Sequence, residues 1–380
     1  MRYPEKELIG ILKASGVDFT CSLPCEKIKV LLEMVQDEFT HIPLTREEEG
    51  VGICAGAALS GRRPAMFIQS SGIGNMINAL LSLTGFYELP LAIFISQRGI
   101  YKEKIAAQFP MGKGLPKILE GSGIDHTLIR KREDFKGIKR KLDSIYKKGK
   151  IHAFLLSPAL WENSEAISKG ISVQSHERRT GMDSLPCTLH PVSRPALTRY
   201  ELLEALAPFL SGKVVVCNLG FPAKEVFKIK HQPSNFYMLG SMGLATSIGL
   251  GIGLTTKKEV VVIDGDGSIL MNPGSLATAA YSKPQNLTII AIDNGAYGST
   301  GSQPTLAGSC VDLELTAKGF GIRNTIKVSK KKQLADALKK HKRGLFFVHA
   351  LAVPGNREVP NIPVTHLDIK KSVQRFLTEK

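Results

Sequence analysis

Two short clusters of oxygen-bearing residues stand out in this chain. The first is Ile263-Asp264-Gly265-Asp266-Gly267-Ser268, and the second is Ile292-Asp293-Asn294-Gly295. Twenty-eight positions separate Asp266 from Asn294. A carboxylate and an amide carbonyl are hard oxygen ligands that suit Mg²⁺, whose shell is typically completed by phosphate oxygens and water. Glycines at 265 and 267 let backbone N–H groups approach an anionic oxygen closely. The pair therefore asks for a metal-bound diphosphate. A lone Gly-Asp-Gly would read as an ordinary turn; the second cluster and its strand context favour the functional reading.

The elements around the clusters support that chemistry. Each cluster ends an apolar strand, VVVIDGDG and LTIIAID (287–293). Ligands of parallel sheets bind outside the carboxyl ends of strands. Around these lie a helix YELLEALAPFL, strands KVVVCN and FYMLG, a small-residue helix MGLATSIGLGIGL and a strand GLFFVHA. The first half alternates similarly. Its strands VDFTCS, THIPL, AMFIQS, LAIFIS and HAFLLS are separated by a helix KIKVLLEMVQ, a helix over about 47–59 and a helix after Gly74. Continuous apolar strands indicate a parallel sheet covered on both faces. The predicted class is α/β, with two doubly wound parallel-sheet domains at 1–165 and 199–380. Residues 166–198 have the turn-rich, charged composition of a linker.

Composition narrows the function. The net charge is +16 over 380 residues, and the basic residues are spread out apart from Arg130–Lys150. That tract places Leu142, Ile145 and Tyr146 at helical spacing, which predicts a solvated amphipathic helix. Nucleic-acid binding is the rival reading of the charge; attraction of small anions is the favoured one. Six scattered cysteines form no CxxC pair and no zinc spacing, so buried free thiols are expected. No apolar run is long enough to span a membrane, and the N-terminus has no signal-peptide core. A cytoplasmic location is the expectation.

The spacing of the two clusters resembles the thiamine-diphosphate enzyme superfamily. The usual Asn-Asn pair reads Asp293-Asn294 here, a departure also met in its decarboxylase branches. The resemblance implies Asp266, Asn294 and the carbonyl of Ala296 as metal ligands. It implies that Gly220, Gly240, Ser241, Gly265, Gly267, Ser268, Tyr297 and Gly298 contact the cofactor. Met242 stands where a bulky residue would bend it; the competing reading is a core methionine. The first half would then hold the pyrimidine ring. One glutamate there would promote the imino tautomer of the cofactor's aminopyrimidine. Thr45-Arg46-Glu47-Glu48-Glu49 offers three, about 100° apart on a helix. Glu47 is favoured and Glu48 is second, the remaining acids complementing the helix dipole. Gln69, Ser71, Gly72 and Asn75 resemble the loop beneath the pyrimidine.

The usual central domain has no room in so short a linker. The phrases GSMGLA, DNGAYGSTG and TREEEGVGICAGA resemble the sulfopyruvate and phosphonopyruvate decarboxylases, with alpha-subunit-like and beta-subunit-like halves fused. This implies decarboxylation of 3-sulfopyruvate to sulfoacetaldehyde and CO₂ in coenzyme M biosynthesis, in an archaeon. Phosphonopyruvate is the alternative substrate. An oxidoreductase component would want iron–sulfur cysteines, which are missing. For the sulfonate, Arg98 is the first choice, with Gln108 and Lys113 behind it; Lys102 and Lys104 are expected to be exposed loop charges. The resemblance also implies a homo-oligomer, at least a dimer, with active sites shared between chains.

Overall fold

The computed structural model describes residues 3–166 and 194–379. Most of the expected linker, residues 167–193 with Cys187, lies outside the described residues. The chain divides into two units, Met1–Ala58 with Arg62–Asp183, and Leu59–Gly61 with Ser184–Lys380.

The first unit is built on β1 (Phe19–Ser22), β2 (Thr40–Pro43), β3 (Pro64–Gln69), β4 (Leu91–Ser96), β5 (His126–Ile129) and β6 (Ile151–Leu156). They form one sheet in the order β2-β1-β3-β4-β6-β5, with every pairing parallel. Central strands are largely apolar because helices cover both faces; all six residues of β4 are buried. Phe67, Phe94 and Phe154 stand in register on three neighbouring strands. Their rings stack at 5.1 and 4.8 Å between centroids, forming one rib of the core.

The second unit is built on β7 (Val214–Cys217), β8 (Asn235–Tyr237), β9 (Val260–Gly265), β10 (Leu287–Asp293), β13 (Thr325–Val328) and β14 (Phe346–Leu351). A two-stranded hairpin, β11 (Ala296–Tyr297) with β12 (Gln303–Pro304), follows β10. The sheet order is β13-β14-β10-β9-β7-β8, again all parallel. Counted from its own first strand, this is the same winding as in the first unit. The α/β class with two doubly wound parallel sheets is thus found as expected.

Three expectations need correction. Strands β5 and β13 escape the sequence reading, because both are four-residue strands at a sheet edge and only partly buried. The hairpin escapes it too; its strands are two residues long. Cysteines 21, 25, 54 and 217 are buried free thiols, whereas Cys310 is exposed. The basic tract folds as the helix Ile138–Lys148, with Ile138, Leu142 and Ile145 buried and its charges outward. Among the described residues, no helix is long and apolar enough to cross a membrane.

Candidate functional site

In the second unit both clusters fall at the carboxyl ends of adjacent strands. β9 and β10 pair from Leu287 opposite Val260 to Ile292 opposite Gly265. That register puts Asp266 and Asn294 just beyond neighbouring strand ends. Asp266 opens the helix Asp266–Met271, and a carboxylate is favoured at a helix N-terminus. The residues around it line a cavity of about 90 Å³ that also touches Asn218, Met242, Asn294, Ala296 and Tyr297.

The electrostatics of this cavity turn on Asp266. Asp266 is 3% exposed and Asn294 is 5% exposed. Burial pushes the Asp266 carboxyl up to about 6; the Thr305 hydroxyl bond opposes this and the Asp293 charge adds to it. A divalent cation would reverse that balance. The Asn294 side-chain N–H₂ is buried with no partner among the described residues. The Ala296 carbonyl accepts the Gly298 N–H at 3.0 Å and keeps a second lone pair. No cluster of three His, Cys, Asp or Glu side chains among the described residues could hold an ion by itself. An ion here would need further oxygens, as a diphosphate provides. The donor set therefore fits a metal-bound diphosphate.

Neighbouring residues fix these groups. Asp293 is turned aside: His349 Nε2 lies 2.8 Å from its Oδ2, and Gly295 N–H donates to its Oδ1 at 3.1 Å. Burial lowers the His349 pKa, but the hydrogen bonds to Asp293 and Asp312 outweigh it and leave it raised. Gly267 is a glycine because of Tyr297: a Cβ there would lie 2.2 Å from the Tyr297 ring. The absence of a side chain at Gly267 is thus required by the Tyr297 ring, whatever its backbone N–H contacts. Ser268 Oγ accepts the Gly243 N–H at 3.1 Å, tying the Gly240–Gly243 turn to the Asp266 helix. In that turn Ser241 is held at φ 58, a left-handed strain of the kind found at ligand-binding loops. Met242 is half-buried at the cavity wall.

Several of the supports carry no signal in the sequence. Thr305, whose hydroxyl donates to Asp266, lies beyond the hairpin. Arg199 makes a paired bond to Glu225 at 2.7 and 2.9 Å and also donates to Asn356 at 2.8 Å. Asn356 in turn donates to the Gly298 carbonyl at 2.7 Å. These partners are distant in sequence, so no local pattern marks them.

In the first unit the three glutamates have three different surroundings. All lie in the first turn of the helix Glu47–Leu59. Glu47 is 4% exposed and accepts a hydrogen bond from Asn75 at 3.0 Å. It also packs on Gly72, where a Cβ would meet its carboxylate at 2.5 Å. Glu48 sits 3.6 Å from Arg46, and burial raises its pKa. Glu49 is fully buried and accepts from the Thr45 N–H and hydroxyl at 3.2 and 2.5 Å, closing the helix start. The structure thus brings Glu47, Gly72 and Asn75 together. Gln69 ends β3 opposite Ser96, and Ser71 is half-buried in the loop that follows.

The residues expected to meet a substrate divide differently. Arg98 is not a free cation. Its side chain is 6% exposed and bonds Glu103 through two nitrogens at 2.6 and 2.9 Å. Glu103 also accepts N–H bonds from Gly99, Lys104 and Ile105; the Arg98 hydrogen bond first, then those of Ile105 and Gly99, hold its carboxyl well below the usual range against the effect of burial. A charge so fully matched has little left for a sulfonate, so the first-choice role of Arg98 is not what this geometry favours. Gln108 begins the helix Gln108–Gly121, and its side-chain oxygen is buried without a partner among the described residues. Lys102 and Lys104 are exposed, and Lys102 pairs with Glu162.

Comparison with known proteins agrees with this geometry. The N-terminal TPP (thiamine pyrophosphate, or diphosphate) binding domain model matches residues 5–114, and the C-terminal TPP binding domain model matches 218–350. A sulfopyruvate decarboxylase of Methanosarcina acetivorans is 44% identical over 99% of this chain and 98% of its own. A sulfopyruvate decarboxylase beta subunit of Methanococcus maripaludis is 47% identical over 46% of this chain and 94% of its own. A phosphonopyruvate decarboxylase of Streptomyces viridochromogenes is 31% identical over 98% of this chain and 94% of its own. Among solved structures, a putative thiamin diphosphate-dependent enzyme of Mycobacterium smegmatis superposes with a TM-score of 0.70. It covers 93% of this chain and 99% of its own at 14% identity, which speaks to the fold alone. Both strand-end clusters lie in a chain similar to a decarboxylase from end to end; the chain belongs to the thiamine-diphosphate-dependent decarboxylases, in the family of the sulfopyruvate decarboxylases.

Proposed function

We propose that the protein decarboxylates 3-sulfopyruvate to sulfoacetaldehyde and CO₂, a non-oxidative step of coenzyme M biosynthesis in an archaeon. The observation that carries this reading is the similarity to a sulfopyruvate decarboxylase across both units. Asp266, Asn294 and the Ala296 carbonyl would hold Mg²⁺ against the cofactor's diphosphate. Bound thiamine diphosphate supplies a nucleophilic carbon and takes up the electron pair left when CO₂ departs. Glu47 would hold a proton at the cofactor's pyrimidine nitrogen, with Asn75 fixing its carboxylate. Glu48 is the weaker candidate, being drawn towards Arg46. Met242 would support the ring system from the second unit.

For the sulfonate, Gln108 comes before Arg98 in this geometry. Amide oxygen and nitrogen exchange by a half-turn, so its buried amide can present N–H donors to an anionic oxygen. Arg98 would act at one remove, by shaping the loop that leads to Gln108. The assembly proposed is a homo-oligomer, at least a dimer, whose sites take the glutamate from one chain and the metal ligands from another.

The 31%-identical phosphonopyruvate decarboxylase supports a second reading with the same mechanism. Side-by-side CO₂ release from sulfopyruvate, phosphonopyruvate and pyruvate separates the two. The proposal expects sulfopyruvate to have the highest kcat/KM. A preference for phosphonopyruvate would transfer the assignment to the second reading.

A further inference from the structure

The second unit carries a much larger cavity, about 1050 Å³, at the opposite edge of its sheet. Its floor includes Val260, Val261 and Thr288, where β9 and β10 begin. Asp266 and Asn294 lie where these same strands end. The cavity is therefore distinct from the decarboxylase site.

The chemistry of its rim is one-sided. Lys213, Lys257, Lys283, Lys339, Lys342 and Arg343 line it, with Glu259 as the one lining carboxylate among the described residues. Glu259 is engaged by Lys213 at 2.5 Å. The other five cations form no ion pair among the described residues. Lys339 lies in the last turn of the helix Lys331–Lys340, where it complements the dipole. Lys342 and Arg343 follow the same helix end, Lys257 lies on the loop before β9, and like charges gathered together destabilise a fold. The loops bearing them are nevertheless braced. Asn286 donates to the carbonyls of Thr256 and Lys258 at 2.9 and 2.7 Å. Gly344 N–H donates to the Gln285 carbonyl at 2.8 Å. Beneath the cations the wall is apolar, with Phe209, Leu254 and Leu338.

A braced concavity with a cationic rim and apolar wall matches a small ligand that is polyanionic at one end and flat or apolar at the other. Its volume lies just above the range of typical small-molecule sites, about 300–1,000 Å³. A nucleic-acid strand would favour an open basic stripe instead. We propose that this cavity binds a nucleoside polyphosphate, its phosphates on Lys257, Lys342 and Arg343 and its base against the apolar wall. Part of the net charge of +16 then has a purpose separate from the decarboxylase substrate.

The test is calorimetric titration of the holoenzyme, saturated with thiamine diphosphate and Mg²⁺ so that the diphosphate site cannot take the probe. The probes are ATP, inorganic tripolyphosphate, adenosine and a short single-stranded oligonucleotide. ATP is expected to bind most tightly, with tripolyphosphate weaker and adenosine weaker still. Lys342→Ala with Arg343→Ala should weaken ATP about a hundredfold, about tenfold for each charge-assisted hydrogen bond removed. Lys257→Ala alone should weaken it about tenfold, with an unchanged melting temperature. Equal binding of tripolyphosphate and ATP would overturn the nucleoside assignment. Binding of the oligonucleotide without ATP, or unaltered ATP affinity in these variants, would overturn the site.

Discussion

The two units are wound identically, yet their corresponding strand ends carry different chemistry. In the second unit the third strand ends in Asp264-Gly265-Asp266 and the fourth in Asp293-Asn294. In the first unit the corresponding ends read Gln69-Ser70-Ser71 and Ser96-Gln97-Arg98. After the second strand, one unit presents Glu47 at the start of a helix, while the other presents the strained turn at Ser241 and Met242. The sheet supplies the same crevice twice, and the few residues past each strand decide what it can hold. One crevice gathers the buried side chains of Asp264, Asp266 and Asn294; the other presents the buried Glu47 carboxylate beside Asn75.

This contrast can be broken experimentally, and the largest effect should come from its two poles together. Asp266→Ala should abolish Mg²⁺-dependent retention of thiamine diphosphate, because water cannot replace the lost ligand charge. Equilibrium dialysis of the cofactor checks this. Glu47→Gln should retain the cofactor and lose about 10²–10⁴-fold in kcat. If Glu48→Gln is the inactive variant instead, the roles of the two glutamates are exchanged. Co-expression of the two dead variants should restore about a quarter of wild-type activity if sites are shared in randomly mixed dimers. Background activity in demonstrated mixed dimers would mean that each chain builds its own site.

Arg98→Ala separates structural from substrate roles. Removing one partner of this buried pair should destabilise the first unit by about 2–3 kcal/mol, read by denaturant unfolding. The pair's contribution also has a pH signature. The Glu103 carboxyl is depressed in the fold, so its stabilisation is present above its unfolded pKa and is lost on acidification below it. Arg98→Ala should therefore flatten the acid limb of the stability profile. A raised KM for sulfopyruvate with unchanged stability would return Arg98 to the substrate.

The smallest effect concerns Gly267. Alanine there would push the Tyr297 ring aside and cost about 1–3 kcal/mol. Adding Tyr297→Ala should recover part of that stability. No recovery would show that the backbone at 267, and not the ring, sets the requirement.

Much of this molecule is legible in its sequence because its central strands are buried on both sides. LAIFIS and VVVID need no periodicity to be recognised as strands. HTLI and TIKV, the corresponding edge strands of the two sheets, lack that signal because one side of each meets solvent. Helical geometry requires three consecutive glutamates to face different ways, and the structure gives each its own neighbour. Arg98 illustrates the limit. Its partner stands five residues on in an irregular loop, and no period connects them. The bond between Asp266 and Thr305 is hidden in the same way.

The register of β9 and β10 has a consequence for how such a motif can vary along other chains. The twenty-eight positions between Asp266 and Asn294 are a path length, not a distance. Two helices and a turn at the far edge of the sheet, residues 283–286, make up most of that path. Lengthening the turn would change the spacing while leaving both strand ends in place, since surface loops tolerate insertion. One residue added inside β10 would turn its later side chains to the opposite face and carry Asn294 away from Asp266. The motif is elastic at one edge of the sheet and rigid at the other.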